Sequence, residues 1–281
     1  MKVGINTYSI AATELTEMGK RSEDAGLESV WVSDHLVVPA AINSDYPHDK
    51  DLPVGADTPL FDPWAVLSAI AAVTEKVRLG TWIFILPARH HLVTARAVAT
   101  LDLISEGRAI LGVGTGWLRE EIEAAGFPWK GRIKRTEEGI EAMRALWSEP
   151  VAELRGEQID LPPVYFEPKP PQGGALPIYI GGESEKAMER AARLGDGWMG
   201  VQADPRQAAE RVKRVRELRE EAGVEGPFET TTGTNGPIDP RLYAEYAESG
   251  VDRIIVSPWY SGVDWREVID GIGETLAEAG Y

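Results

Sequence analysis

The sequence predicts an α/β fold: a closed (β/α)8 TIM barrel with insertions after its second and fourth strands. Three observations lead there. Strand-like and helix-like runs alternate almost from end to end, giving about eight strands each followed by a helix. The strands are nearly continuous in apolar residues, as in Ala109-Ile110-Leu111-Gly112-Val113, which suits a parallel sheet buried on both faces. The 281 residues exceed an average domain but are ordinary for one barrel, so a single domain over 1–281 is expected. An open doubly wound sheet is the alternative arrangement of the same units.

Each element has a local reason. Lys2–Asn6 is a short apolar strand, and Glu14–Ala25 the helix after it, closed by Gly26. Ser29–Ser33 is the second strand. Asp62–Thr74 is a helix whose Asp62-Pro63 supplies an N-cap and a proline at the first helical position. Val77–Ile83 is the third strand, His91–Ser105 a helix and Arg108–Val113 the fourth strand. Further strands are expected at Pro177–Ile180, Gly197–Val201, Phe228–Thr232 and Arg253–Ser257. Helices fit Ser184–Leu194, Pro205–Ala222, Pro240–Ser249 and Trp265–Ala279. Two segments break the rhythm. Leu36–Pro59 holds four prolines with little periodicity; Trp117–Gln172 carries a second helix at Ile133–Trp147 and then a proline-rich stretch, VYFEPKPPQ. Both follow strands, so both belong to the C-terminal face, where barrels of this kind build their sites.

Composition narrows the function. With no cysteine, disulfides, thiolate nucleophiles and cysteine-ligated metals are excluded. A net charge of −16 repels nucleic acid and anionic membranes. MKVGINTYSI reads as a strand, not a signal peptide, and no run approaches a membrane span, so a cytoplasmic location is expected.

Chemistry gathers at strand ends. Asp34 and His35 stop the second strand, and an imidazole there can exchange protons near neutral pH; a turn cap and a loop residue is the plainer reading. Thr81–Pro87 offers an apolar wall suited to a flat aromatic ligand, with Arg89, His90 and His91 following as an exposed rim. Gly112-Val113-Gly114-Thr115-Gly116-Trp117 imitates a dinucleotide fingerprint but lacks its third glycine, since Trp117 stands in that place. Small residues there let a ligand approach the backbone, and Glu120 and Glu121 fall in the first turn of the next helix. Gly181-Gly182-Glu183-Ser184 before a helix is either a phosphate cradle or an ordinary N-cap. No H-E-x-x-H or G-x-S-x-G occurs, and no catalytic metal is expected.

Three stretches together carry a resemblance: SVWVSDHL (29–36), LGTWIFILPARHHLVTARAVATLDLISEGRAILGVGTGWLREE (79–121) and LPIYIGGESEKAMERAARLGDGW (176–198). With them the chain resembles the bacterial luciferase-like flavin family, and within it the branch using the deazaflavin coenzyme F-420 (F420). The resemblance implies a (β/α)8 barrel with a flavin-like ring at its mouth and hydride passing to or from the ring's C5. It implies Asp34 and His35 as catalytic candidates, His35 handling the substrate's proton. It implies a non-proline cis peptide at Trp82-Ile83 behind the ring. Thr115, Gly116, Trp117 and Glu120 match a segment lining the cofactor's tail, and Gly181, Gly182, Glu183 and Ser184 match a phosphate-holding turn. Sugar-phosphate dehydrogenases of this family place a glutamate directly after Gly-Thr-Gly; Trp117 stands there instead, which argues against hexose-phosphate oxidation and for a less polar substrate. The Ser33–Leu36 match points to F420; FMN, with reduced flavin supplied separately and O2 consumed, is the alternative. A homodimer is expected by the same likeness.

Overall fold

The apolar runs pair, in order, into one ring of parallel strands. A computed structural model describes residues 1–46, 55–234, 236, 238–258 and 262–280. Along the chain these hold β1 (Lys2–Asn6), α1 (Leu15–Asp24), β2 (Ser29–Val32), α2 (Pro63–Ala71), β3 (Arg78–Thr81), β4 (Phe84–Ile85), α3 (His91–Ile104), β5 (Ala109–Gly114), α4 (Arg119–Ala124) and α5 (Arg132–Ser148). There follow β6 (Ala152–Arg155), β7 (Asp160–Val164), β8 (Ile178–Gly181), α6 (Glu185–Leu194), β9 (Gly197–Gln202), α7 (Pro205–Glu221), β10 (Glu229–Thr234), α8 (Pro240–Glu248), β11 (Arg253–Val256) and α9 (Trp265–Glu278). The sheet runs β3-β2-β1-β11-β10-β9-β8-β5-β4, and a further β3–β5 pairing closes it. All its pairings are parallel, for example Ile5 with Val256 and Leu79 with Ala109. This is the closed TIM barrel the alternation predicts, and the open sheet is set aside. Three of its helices start on Asp-Pro: Asp62, Asp204 and Asp239 each accept a first-turn N–H while the proline fills the first helical place.

Several boundaries differ from expectation for physical reasons. The third strand does not run through Ile83. It stops at Thr81, ahead of a cis Trp82-Ile83 peptide, and resumes as β4 beside β5. The α2 helix ends at Ala71, and Thr74 instead hydrogen-bonds back to the Ile70 carbonyl. β10 continues two residues past Thr232, to Thr234. The second insertion holds an antiparallel hairpin, β6–β7, that the sequence reading lacks. Of the first insertion, residues 47–54 lie outside the described residues.

The barrel interior is filled by rings set against glycines. A Cβ on Gly80 would lie 2.3 Å from the Trp31 ring, and one on Gly197 2.7 Å from Tyr179. Trp31, Ile110, Tyr179, Met199 and Ile255 form an inner core, separate from the larger core between strands and helices. Below it, at the strand starts, Arg253 is fully buried. It pairs with Glu28 (2.8 Å) and Glu229 (3.0 Å) and lies over the Trp31 and Tyr179 rings. The N-terminal end is thereby plugged, which leaves the C-terminal end for a cavity. Among the described residues no helix is long and apolar enough to cross a membrane.

Candidate active site

At the C-terminal strand ends lies a cavity of about 570 Å³. Its wall includes Asp34, His35, Trp82, Ile83, Thr115, Gly116, Trp117, Gly181, Gly182, Glu183 and Ser184, so the fold brings together residues spread over 150 positions of sequence, from 34 to 184. Glu120 is not part of that wall. His90 and His91 are not either: they stack on each other at 4.5 Å, and His90 accepts from the Leu92 N–H at the start of α3.

His35 leaves β2 at the cavity edge and is held from behind. Its Nδ1 lies 2.8 Å from Oε2 of Glu121, a carboxylate with no exposed side-chain surface. The other Glu121 oxygen accepts the Leu36 N–H. A carboxylate partner makes Nδ1 the protonated nitrogen and leaves Nε2 of the neutral ring with a lone pair for a bound molecule. Trp117 meets the imidazole edge-on, with ring centres 6.2 Å apart, and Tyr46 meets Trp117 at 5.0 Å.

Asp34 does different work. Its carboxylate accepts the Ile85 N–H (2.8 Å) and an Arg89 guanidinium N–H (2.6 Å) and is sealed from solvent. Burial pushes its carboxyl up, while Arg89 and the Ile85 N–H pull the other way. Asp34 therefore fastens the backbone just beyond the Trp82-Ile83 cis peptide. That peptide's side chains form the cavity floor. The Trp82 indole N–H donates to the Gly200 carbonyl at 3.1 Å. Ile83 sits in a slot where a Cβ on Gly181 would come within 2.1 Å and one on Gly114 within 3.0 Å. These two glycines thus make room for Ile83, and both also line the cavity.

Across the cavity, Ser184 caps α6 and accepts the Ala187 N–H. Gly182, at φ 127°, brings the chain onto that helix start so closely that a Cβ would lie 2.7 Å from Ala187. Glu183 turns aside: its carboxylate accepts the Val201 N–H and pairs with Arg211 at 2.6 Å. Arg132, at the start of α5, also lines the cavity. It stacks 3.5 Å over Trp129 and reaches the Gly116 carbonyl, and no described carboxylate pairs with it. Burial, with Arg190 of α6 nearby, holds its guanidinium below the ordinary value. A half-buried cation with no described carboxylate partner, together with a helix start, is a donor set that suits an anionic group.

Glu120 serves as a latch. It accepts the Ser44 hydroxyl (2.7 Å) and the Asn43 N–H (2.8 Å), and these bonds draw its carboxyl down to about 2. The consecutive acids Glu120 and Glu121 thus tie residues 35–44 of the first insertion onto α4, and Asp45 and Tyr46 follow at the cavity mouth. Sequence reasoning did not find Glu121, Arg132, Tyr46 or Trp129. Each is an ordinary helix or loop residue until the fold brings it near another segment. Among the described residues no cluster of three or more His, Asp or Glu is placed to hold a metal.

Comparison with known proteins follows the same lines. The luciferase-like monooxygenase family model matches residues 2–238. An uncharacterized protein of Mycobacterium tuberculosis is 34% identical over 261 residues, covering 91% of this chain and 91% of its own. The F420-dependent glucose-6-phosphate dehydrogenase of Amycolatopsis mediterranei is 33% identical over 209 residues, 71% of this chain and 57% of that one. In structure, an F420-dependent secondary alcohol dehydrogenase in complex with an F420-acetone adduct superposes with TM-score 0.78 at 21% identity, covering 98% and 97% of the two chains.

Proposed function

The chain belongs to the luciferase-like monooxygenase family, and from that premise we propose that it is an F420-dependent oxidoreductase acting on a small organic molecule. The observation that carries the proposal is a cavity with two unlike ends. One holds His35 backed by the sealed Glu121; the other holds the α6 start with an unpaired Arg132. The F420-dependent names among the relatives support this choice over FMN. The residues fit such a coenzyme. Ile83 and Trp82 would give an apolar floor to a planar ring. Gly182, Ser184 and Arg132 would take its phosphate, and Thr115, Gly116 and Trp117 would border its tail. When bound, a deazaflavin supplies a ring carbon that carries hydride. His35 does the rest: Nε2 accepts or returns the proton of a substrate hydroxyl, while Glu121 fixes the tautomer and steadies the imidazolium that forms. Asp34 positions the floor through Ile85 and Arg89. We also propose a homodimer, supported by Val93, Ala97, Thr100 and Ile104, which recur along one side of α3; Val93 is 68% and Ile104 48% exposed.

Anaerobic titration of the purified chain with F420 and with FMN, followed by absorbance, tests the coenzyme. Uptake of F420 in preference to FMN is expected. Uptake of FMN with oxygen consumption would reassign the chemistry, and uptake of neither would overturn the reading.

A further inference from the structure

The His35 end of the cavity is short of fixed cations among the described residues. Arg132 is the one arginine or lysine in the described lining; it is held against Gly116 and Trp129, with Arg190 of α6 nearby, and is the residue assigned above to the coenzyme's phosphate. The acids nearer His35 are either sealed and engaged, as Asp34 and Glu121 are, or at the mouth, as Asp45 is. What faces a molecule held at His35 is largely aromatic, beside the side chains of Asn6 and Ser33, which hydrogen-bond each other. Trp117 stands edge-on to His35, and Tyr46 stands edge-on to Trp117 on the latched strap.

Resting on the F420 reading above, we infer that this end is a substrate compartment for an uncharged, largely apolar molecule bearing one carbonyl or hydroxyl, with Trp117 and Tyr46 as its specificity-determining walls. A phosphorylated or carboxylated substrate would give up its hydration here and, with Arg132 taken by the coenzyme, meet no other lysine or arginine among the described lining residues in return. A ketone or secondary alcohol loses little on entry. Its single oxygen has one partner to find, the imidazole of His35, and its carbon skeleton gains the ring surfaces. The indole also fills the position after Gly-Thr-Gly, so no acid points at the substrate from that turn.

Isothermal titration of three probes of similar size decides the matter: 2-hexanol (uncharged), hexanoate (anionic) and choline (cationic). They are run on the protein alone and, where F420 is taken up, on the loaded protein. The uncharged probe is expected to bind at least about tenfold more tightly than either ion. Trp117→Ala and Tyr46→Ala should each weaken it by about tenfold, the usual size for losing an anchoring ring, and Tyr46→Ala, at a residue given no part in holding the coenzyme, should leave F420 affinity nearly unchanged. Circular dichroism verifies that each variant folds, and the two independent variants guard against one failing. Tighter binding of either ion, or wild-type affinity for 2-hexanol in both variants, overturns the inference. Failure of F420 uptake sinks the coenzyme reading separately, because the probe order is still read on the protein alone.

Discussion

His35 and Arg132 line one cavity with different chemistry and should fail differently when altered. Replacing His35 with alanine removes the proton-handling group but none of the coenzyme floor, so kcat should fall by about 10²–10⁴ while coenzyme Kd stays close to wild type. Equal loss of both, by steady-state kinetics and titration, would make His35 a binding residue only. Arg132→Ala should do the reverse. Loss of a charge-assisted contact of about 1.5–3 kcal/mol weakens coenzyme binding by roughly 10–100-fold. His35 was legible in sequence because it ends a strand on the face where barrels build sites. Arg132 was not: in RIKRTEEG it is one basic residue among several on a polar helix, and only the fold sets it over Trp129 without an acid partner. Gly114 and Gly181 read in sequence as room for a ligand; that Ile83 also packs against both is visible only in the fold.

Between elements, the strap of residues 35–44 is held on α4 by two adjacent carboxylates. Glu120→Gln keeps the shape but removes the charge that receives Ser44 and Asn43. The KM for substrate should rise several-fold, on the scale of a lost charged hydrogen bond, with coenzyme Kd unchanged and faster limited proteolysis within the strap. The sign of the pH effect follows from a carboxyl held at about 2 against an ordinary 4.5. The latch is complete above the ordinary value and is lost only as pH falls through about 2, so KM should show no latch-related change between about pH 5 and 9. Most elements were legible, because their apolar periods and Asp-Pro starts are local signals. The β6–β7 hairpin was not: its second strand contains Pro162 and Pro163, which read as strand breakers, and its pairing is confined to one short partner at an edge. The contact of strap with α4 left no local signal at all, since each side reads as solvated polar sequence.

In the molecule as a whole, the plug at the base of the barrel couples both ends of the chain's sheet to its middle. Glu229 bonds Lys2, Tyr179 and Arg253 at once. Burial alone would raise its carboxyl, but Arg253 and the hydrogen bonds from Lys2 and Tyr179 draw it down to about 2. Its contribution is therefore present above about pH 4.5 and fades as pH falls toward 2. Glu229→Gln should lower unfolding free energy by about 1.5–3 kcal/mol in urea at pH 7 and flatten the decline in acid. On the outer surface, Val93→Glu should turn a dimer into a monomer by light scattering without loss of helix content, if α3 is the joining face. The Trp82 indole links these scales in another way. Its outer edge occupies the space over Gly233 on the far wall, where a methyl group would come within 2.3 Å of it. The cavity's floor is thus propped from the opposite side of the ring. Gly233→Ala, a one-carbon change outside the cavity's lining, would displace that indole and reshape the space in which any bound molecule must lie.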